Sequence, residues 1–588
     1  MLKRLRLPDT PTFKRPADLV YASDERPPAT TLVGLAVQHA AAALALLAYT
    51  LAAAQIGALD AEATRSMVTA TILGMAIATF LQAWGKRVGS GLMLVHIPDP
   101  LLVVVSGMVA AQYGVGGLVM VGLVNAAIAL GASQIVPRLR AVLPPTVAGV
   151  VICVAGLSLI KPGITQTANL DALGIPVPAD LLIGTTTLMV VVFLSIWGNK
   201  RAKLLALLLG LGCGLVLAGF MDRLTGLDAL RAAPIFGLPT LPIPTADIDI
   251  GILVAVGLLA LMAQLDTFGS VVLMHKMNEA DWRRPNMRLI AGGMRASALG
   301  NLCAAWFGAH PTATSSANIA LCHISRSTSR WIGFMTALLL GLFAFLPQLT
   351  LALTLIPTPI IGAISLYAAA YLIVSGIELI ASRALDSHGI FVVGLSFIGG
   401  IAMMLMPQLA DNAPVSLRFL VSNGVIVAGL TAITLNLLFR IGISQRARQA
   451  LTHDGTTPVS EQIVNFVESN GARWSARREA VRQAAAAALE AAEAIQGSGH
   501  GRHLIEIRGR FDEFNLDIDL LHHGPALPLQ TDVAPELGNL LDLDDAEFTR
   551  ALDDRLDKLP QILLRRLADR LSSGTDKNHS WLKLHFDH

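Results

Sequence analysis

The chain has 588 residues, 53% of them hydrophobic and 15% charged, with a mean hydropathy of +0.59 and a formal net charge of +2. This composition excludes a soluble domain and points to a protein that crosses a membrane many times. Lys and Arg are spread through loops rather than gathered on one face, which excludes nucleic acid as a partner.

Residues 1–30 are polar and basic, with no short apolar stretch before a small-residue cleavage site, so no signal peptide is expected there. They read as a cytoplasmic tail, because Lys3, Arg4, Arg6, Lys14 and Arg15 hold the N-terminus inside. A transmembrane domain over 31–443 follows, with about fourteen spans. The first seven lie near 31–54, 66–85, 98–113, 115–135, 143–160, 181–198 and 204–221. The second seven lie near 250–270, 288–307, 312–325, 331–349, 358–380, 389–406 and 418–440. On this count the loops left inside carry Lys86-Arg87, Arg138 and Arg140, Lys200-Arg201, Arg326 and Arg330, and Arg383. All are basic, so both termini are expected in the cytoplasm of a cell bounded by an inner membrane. Lys86, Arg138, Arg201, Arg326 and Arg330 read as topology anchors.

Two spans are broken in their middles. One reads Leu94-Val-His-Ile-Pro-Asp-Pro100 and the other runs from Pro311 to Ser325. Broken backbone cannot face lipid, because its free N–H and C=O groups are too costly there. A matched pair of breaks is the best sequence pointer to a transporter's central site. The breaks fall in spans 3 and 10, seven apart. Leu143-Pro144-Pro145-Thr146 and Ile356-Pro357-Thr358-Pro359, which open spans 5 and 12, are also seven apart. Seven is odd, so a 7+7 repeat must sit inverted in the membrane.

Ionisable groups inside spans are expensive and usually functional. They are Gln38-His39, His96, Asp99, Asp266, His310 and His323, with Asn301 and Asn318 as neutral partners. Asp266 stands out. A carboxylate in an apolar span can exchange a proton in the working pH range, and only its ionised form accepts hydrogen bonds at both oxygens. It is expected to bind substrate and couple the proton. His96, Ser316, Ala317 (through its backbone) and Asn318 are expected to bind substrate beside it. Gln38, His39 and Asp99 are expected to support the site, and so, from the family resemblance given next, is Ser270. Gln38-His39 is equally readable as a pair tying two helices together. Cys153, Cys213, Cys303 and Cys322 read as small apolar residues, with no metal site and no disulfide framework.

These residues resemble the nucleobase/ascorbate transporter family, the xanthine–uracil permeases, over residues 17–442. Tyr21-Ala-Ser-Asp24-Glu25-Arg26-Pro27-Pro28 is similar to the family's pre-span motif, and Gln38-His39 to its first-span pair. Asp266-Thr-Phe-Gly269 falls where the family carries an acidic residue followed by Gly. The resemblance implies a core of spans 1–4 and 8–11, a gate of spans 5–7 and 12–14, and an elevator-like motion. It also implies strand-like segments in spans 3 and 10, and a homodimer. The tenth-span signature departs from the family. Asn318 and Arg326 are kept, but Ala317 replaces the polar side chain that grips a nucleobase and Ala320 replaces a Gly. Asp266 stands where Glu is usual, and Ser270 where uracil permeases carry a His.

Residues 444–588 form a polar cytoplasmic α/β domain. Helices are expected over 458–470 and 474–496, then a hairpin of Leu504–Arg508 and Phe514–Leu521, capped by His522-His523. Charged helices over 545–572 and a closing strand at Trp581–Phe586 complete it. The order resembles the ATP-binding domain of histidine kinases and anti-sigma factors. Glu493 stands where that domain's magnesium-binding Asn would be, and no clear Gly-rich lid follows, so the expected role is regulation through an unknown partner.

The function expected is proton-coupled symport of a nucleobase or related heterocycle, with no enzymatic activity and no cofactor. Sodium stays open as the coupling ion. The alternatives are a sulfate-type anion transporter on the same plan, and a membrane sensor signalling through the C-terminal domain. A primary pump is not expected, since no Walker-type loop appears.

Overall fold

In the computed structural model, helices begin where the sequence supplies a cap or a proline. Asp60 accepts the Ala63 N–H at 2.7 Å, Asp249 accepts the Gly251 N–H at 2.6 Å, and Asn286 accepts the Arg288 N–H at 3.0 Å. Pro145, Pro178 and Pro347 open three more, at positions where a missing N–H costs nothing. The structure describes residues 13–587 except 136–143, 171–173, 200–201, 204, 239–241, 246–248, 283–284, 382–384, 386, 412, 415–417, 419–420, 440–444, 454–456, 475, 477, 498–500, 513–514, 528–562, 566 and 577–578. The loop arginines at 138, 140, 201 and 383 therefore lie outside the described residues, as does most of the expected 545–572 helical stretch.

The chain divides into two compact units, with the boundary between Leu437 and Leu438. The first is helical, apart from two short strands. Its elements are α1 (Ala29–Ala45), α2 (Ala48–Ile56), α3 (Ala61–Trp84), β1 (His96–Pro98), α4 (Val103–Gln134), α5 (Pro145–Ser158), α6 (Ile160–Ala168), α7 (Pro178–Trp197), α8 (Ala206–Phe220) and α9 (Leu227–Ala232). Then come α10 (Ile250–Asn278), α11 (Met287–Ala305), β2 (Thr312–Thr314), α12 (Ser316–Ser325), α13 (Arg330–Ala344), α14 (Pro347–Thr354), α15 (Thr358–Ala381), α16 (Ser387–Leu405) and α17 (Gly424–Phe439). Among the described residues, 8 helices are long and apolar enough to cross a membrane, or 9 if α13 and α14, bent by 83°, form one span. Met189, Phe193 and Trp197 stand exposed on one of them, α7, as residues facing lipid do.

Spans 3 and 4, expected as separate helices, are two helices that meet at Gly114 within the range of α4. Gly114 breaks the run with φ 63° and ψ −160°, a left-handed conformation that glycine adopts without a Cβ clash. The two broken spans meet as an antiparallel ribbon. His96 faces Thr314, Ile97 faces Ala313 and Pro98 faces Thr312. Each break thereby satisfies the other's backbone. Elsewhere small residues let helices close up. A Cβ on Gly376 of α15 would come 2.6 Å from both the Gly149 oxygen and the Cys153 nitrogen of α5.

Among the described residues, the second unit is a five-stranded antiparallel sheet with two helices. Its elements are β3 (Gln445–Ala450), α18 (Val459–Arg473), α19 (Arg478–Gly497), β4 (Leu504–Phe511), β5 (Asn515–His522), β6 (Arg570–Thr575) and β7 (Ser580–Asp587), in the order β3-β4-β5-β7-β6. Phe466, Trp474, Ala488 and Ile495 of the helical segments share one core with Ile507, Ile518, Leu584 and Phe586 of the sheet. The alternate residues carry charge. Asp517 takes Lys583 at 2.9 Å and His585 at 2.6 Å. Burial pushes that carboxyl up, but the bonds from His585 and Lys583 outweigh it and hold it below the usual range.

Two expectations for this unit are corrected. Residues 570–572, expected to end a helix, belong to β6, where Arg570 pairs with His585. His522 does not cap the hairpin. It pairs with Leu504 and Ser580, at the end of the sheet away from the Phe511–Leu516 pair where β4 leads into β5.

Candidate functional site

The site is built where α1, α10 and α12 meet the ribbon. The start of α12 is its centre. Ser315 caps the half-helix, accepting the Asn318 N–H at 3.2 Å, and its own N–H donates to the Val95 carbonyl at 2.9 Å. The next N–H groups, of Ser316 and Ala317, are first-turn donors with no acceptor inside a helix. Both residues are exposed, as is Ala320 one turn on. A half-helix start of this kind attracts a carbonyl or anionic oxygen.

Asn318 is buried and fixed from two sides. Its Oδ1 accepts from His39 Nδ1 at 2.7 Å, and its Nδ2 donates to Ser315 Oγ at 2.9 Å. His39 is 1% exposed, while Gln38 beside it on α1 is exposed. The structure thus ties the first span to the tenth through residues 279 apart in sequence.

Asp266 lies midway along α10 with its side chain exposed, not sealed among helices. Thr314 Oγ1 lies 3.5 Å from its Oδ2 and 2.9 Å from Ser270 Oγ. One hydroxyl proton serves one acceptor. If Thr314 donates to Asp266, Ser270 donates to Thr314, and the three form a short relay. Asp266, Gln38, Ser316 and Ala317 are the expected residues that the structure leaves open.

His96 and Asp99 are placed differently. His96 is fully buried, with Nδ1 3.3 Å from Thr312 Oγ1 and Nε2 3.3 Å from Gln82 Nε2. Its N–H donates to Thr79 at 3.0 Å. Expected as a substrate ligand, it lies within the ribbon with a protein partner at each ring nitrogen. Asp99 is 1% exposed and caps the turn Pro100–Leu102, accepting the Leu101 N–H at 2.9 Å. Asn301 holds β2 by bonding both the Thr312 carbonyl and the Thr312 N–H at 2.8 Å. His310 is buried, and His323 is exposed near the end of α12. The sequence reading missed Thr71, Thr79 and Gln82 of α3, which hold His310, His96 and Ser90. Their spacing of eight and eleven places them on one helical face, a signal that was available.

The pre-span segment clamps the far end of α12. Thr328 N–H donates to the Tyr21 carbonyl at 2.9 Å, and Arg330 N–H to that of Ser23 at 2.9 Å. Arg330, expected as a topology anchor, is buried and pairs with Asp24 at 3.0 Å. Arg26 lies over the Trp331 ring at 5.1 Å. Arg330 therefore serves packing, which its position at a loop edge does not reveal.

Comparison with known proteins fits this geometry. The chain is 26% identical over 446 residues to xanthine permease XanP of Escherichia coli (strain K12), covering 72% of this chain and 95% of the relative. It is 26% identical over 416 residues to nucleobase transporter PlUacP of Paenibacillus larvae, covering 67% and 90%. Among solved structures, the murine Slc26a9 anion transporter in the inward-facing state shares the fold with a TM-score of 0.50 at 12% identity, covering 74% of this chain and 72% of that one. The xanthine/uracil permease model, described as a permease family, matches residues 30–409. The chain is a multi-pass membrane protein and belongs to that permease family.

Proposed function

We propose that this permease carries a neutral purine or pyrimidine base, such as xanthine or uracil, together with a proton across the inner membrane. The observation that carries the reading is one open face. It holds the exposed carboxylate of Asp266, the first turn of a half-helix at Ser316 and Ala317, and Asn318 locked by His39. A nucleobase presents ring N–H donors next to carbonyl oxygens. Asp266 accepts from the donors, and the half-helix N–H groups donate to a carbonyl. This uses backbone where Ala317 offers no polar side chain. A proton held between Asp266 and the base neutralises the charge, so carboxylate, proton and base can cross together.

The pattern of neighbours supports an inverted repeat of about seven spans in each half. The second span, α3, packs on the eleventh, α13, as the ninth, α11, packs on the fourth, the later part of α4. The first span packs on the tenth-span half-helix as the eighth packs on the third-span turn. The close packing of α5 on α15 suits a gate of spans 5–7 and 12–14, against which a core of spans 1–4 and 8–11 moves in an elevator-like step. A homodimer with both termini in the cytoplasm, and a regulatory C-terminal unit, complete the reading. Glu493 is exposed on α19, where a nucleotide-binding domain of that type would carry Asn.

An anion reading asks for a cation at the open face. Neither α1 nor α12 contains Lys or Arg, and α10 has only Lys276, in its last turn. The test is uptake of labelled purines and pyrimidines into proteoliposomes, with and without an inward proton gradient. Gradient-driven uptake of one base, lost in Asp266→Asn, is the expected result. Uptake of no base by folded wild type, or full uptake by the variant, overturns the reading.

A further inference from the structure

The third-span break holds a second carboxylate for which the role above has no use. Asp99 is 1% exposed. Its N–H donates to the Pro311 carbonyl at 2.8 Å, its Oδ1 accepts the Leu101 N–H, and its carbonyl accepts from His310 Nε2 at 2.9 Å. Its Oδ2 is buried with no hydrogen-bond partner in the protein. His310 Nδ1 is also buried and unpartnered. Since Nε2 is the donor toward a carbonyl, Nδ1 is the bare acceptor of a neutral ring. The break therefore contains two orphan acceptors and no donor for either.

The ribbon brings His96, whose ring nitrogens are engaged by Thr312 and Gln82. The eighth span packs on this turn and carries Asp266, with His275 and Lys276 in the last turn of that helix. Of the other helices packed on this turn, α4 carries Tyr113 and α5 carries Cys153. Among the described residues, no Lys or Arg pairs with Asp99. An ionised carboxylate with a bare oxygen in such a place is strongly disfavoured.

We propose that Asp99 is a second proton site of the transport cycle. It holds a proton on Oδ2 in the arrangement seen here and releases it to water on the other side when the broken spans move. The proposal rests on the symport reading above. In proton balance, water on the loading side gives one proton to Oδ2 and water on the far side receives it, with no other bond changed. Position supports a moving part. Asp99 caps the third-span turn as Ser315 caps the tenth-span half-helix, so the two caps are counterparts at the crossing of the breaks. The side chain at one cap can titrate and the other cannot.

The experiment uses the full-length protein in proteoliposomes, with labelled xanthine and an internal pH-sensitive dye. Asp99→Asn keeps an Oδ1 for the Leu101 N–H, so folding is retained, and monodispersity on size exclusion checks this. The wild type should move about two protons per base and the variant about one, with base counterflow nearly unchanged. An infrared difference spectrum of wild type minus variant at neutral pH should show the C=O stretch of a neutral carboxylic acid. An unchanged proton ratio, absence of that band, or replacement of the lost proton dependence by a sodium dependence overturns the proposal. Wild type that takes up base without any proton gradient effect overturns the symport reading itself, and this proposal with it.

Discussion

The two broken spans share one ribbon but face different surroundings. After β1 the chain continues through Pro100, Leu101, Leu102 and Val103, and the last three are buried. After β2 it continues through Ser315 to Ala320, where Ser316, Ala317 and Ala320 are exposed while Ser315, Asn318 and Ile319 are buried. The third-span break is thus a sealed brace and the tenth-span break an open cradle. Residue type accounts for much of the difference. Leu and Val make the first half-helix a packing element, while Ser and Ala leave the start of the second low and polar. What a break does is decided by the half-helix that follows it, more than by the break itself.

Substitutions can break this contrast. The largest effect is expected from Asp266→Asn, which faces the open cradle. Initial uptake of base should fall by about 100-fold or more, since a carboxylate is replaced by a group that cannot exchange a proton. Next is Asn318→Ala, which frees His39 and the Ser315 cap and should weaken base binding by about tenfold, read by isothermal titration. Ala317→Gln sharpens the contrast from the other direction. It adds a side-chain donor and acceptor at the open turn and should tighten binding of a base by about tenfold or less. On the sealed side, His96→Ala should act through stability. Loss of its bonds to Thr312 and Gln82 should cost about 1–3 kcal/mol, read as a lower melting temperature with base affinity per folded molecule little changed. The smallest effect is expected from Arg330→Ala. Its partner Asp24 is 49% exposed, so solvent screens the pair and the loss should be about 1 kcal/mol.

Much of this was legible in the chain. Two interrupted apolar runs at matching places marked the breaks, and an acid within the eighth apolar run marked Asp266. The half-helix start could be read because Ser and Thr cluster where an apolar span should continue. Other features were hidden for physical reasons. The His39–Asn318 bond joins groups far apart in sequence, and no local pattern encodes it. The burial of Arg330 depends on a pre-span segment that returns from the other end of the domain. His96 looked like a ligand because a His in a span is expensive, and the structure offsets that cost with Thr312 and Gln82. In the C-terminal unit, β3 reads Gln-Arg-Ala-Arg-Gln-Ala and is almost wholly exposed. An edge strand without an apolar face gives no alternating signal.

The most direct measurement of the open-versus-sealed contrast is thiol accessibility. Ser316→Cys and Pro98→Cys would each be placed in a background lacking Cys153, Cys213, Cys303 and Cys322. Labelling with a membrane-impermeant maleimide would then be followed with and without xanthine. The account predicts rapid labelling at position 316, slowed by the base, and little labelling at position 98. Equal labelling at both positions, with no protection by any base, contradicts it.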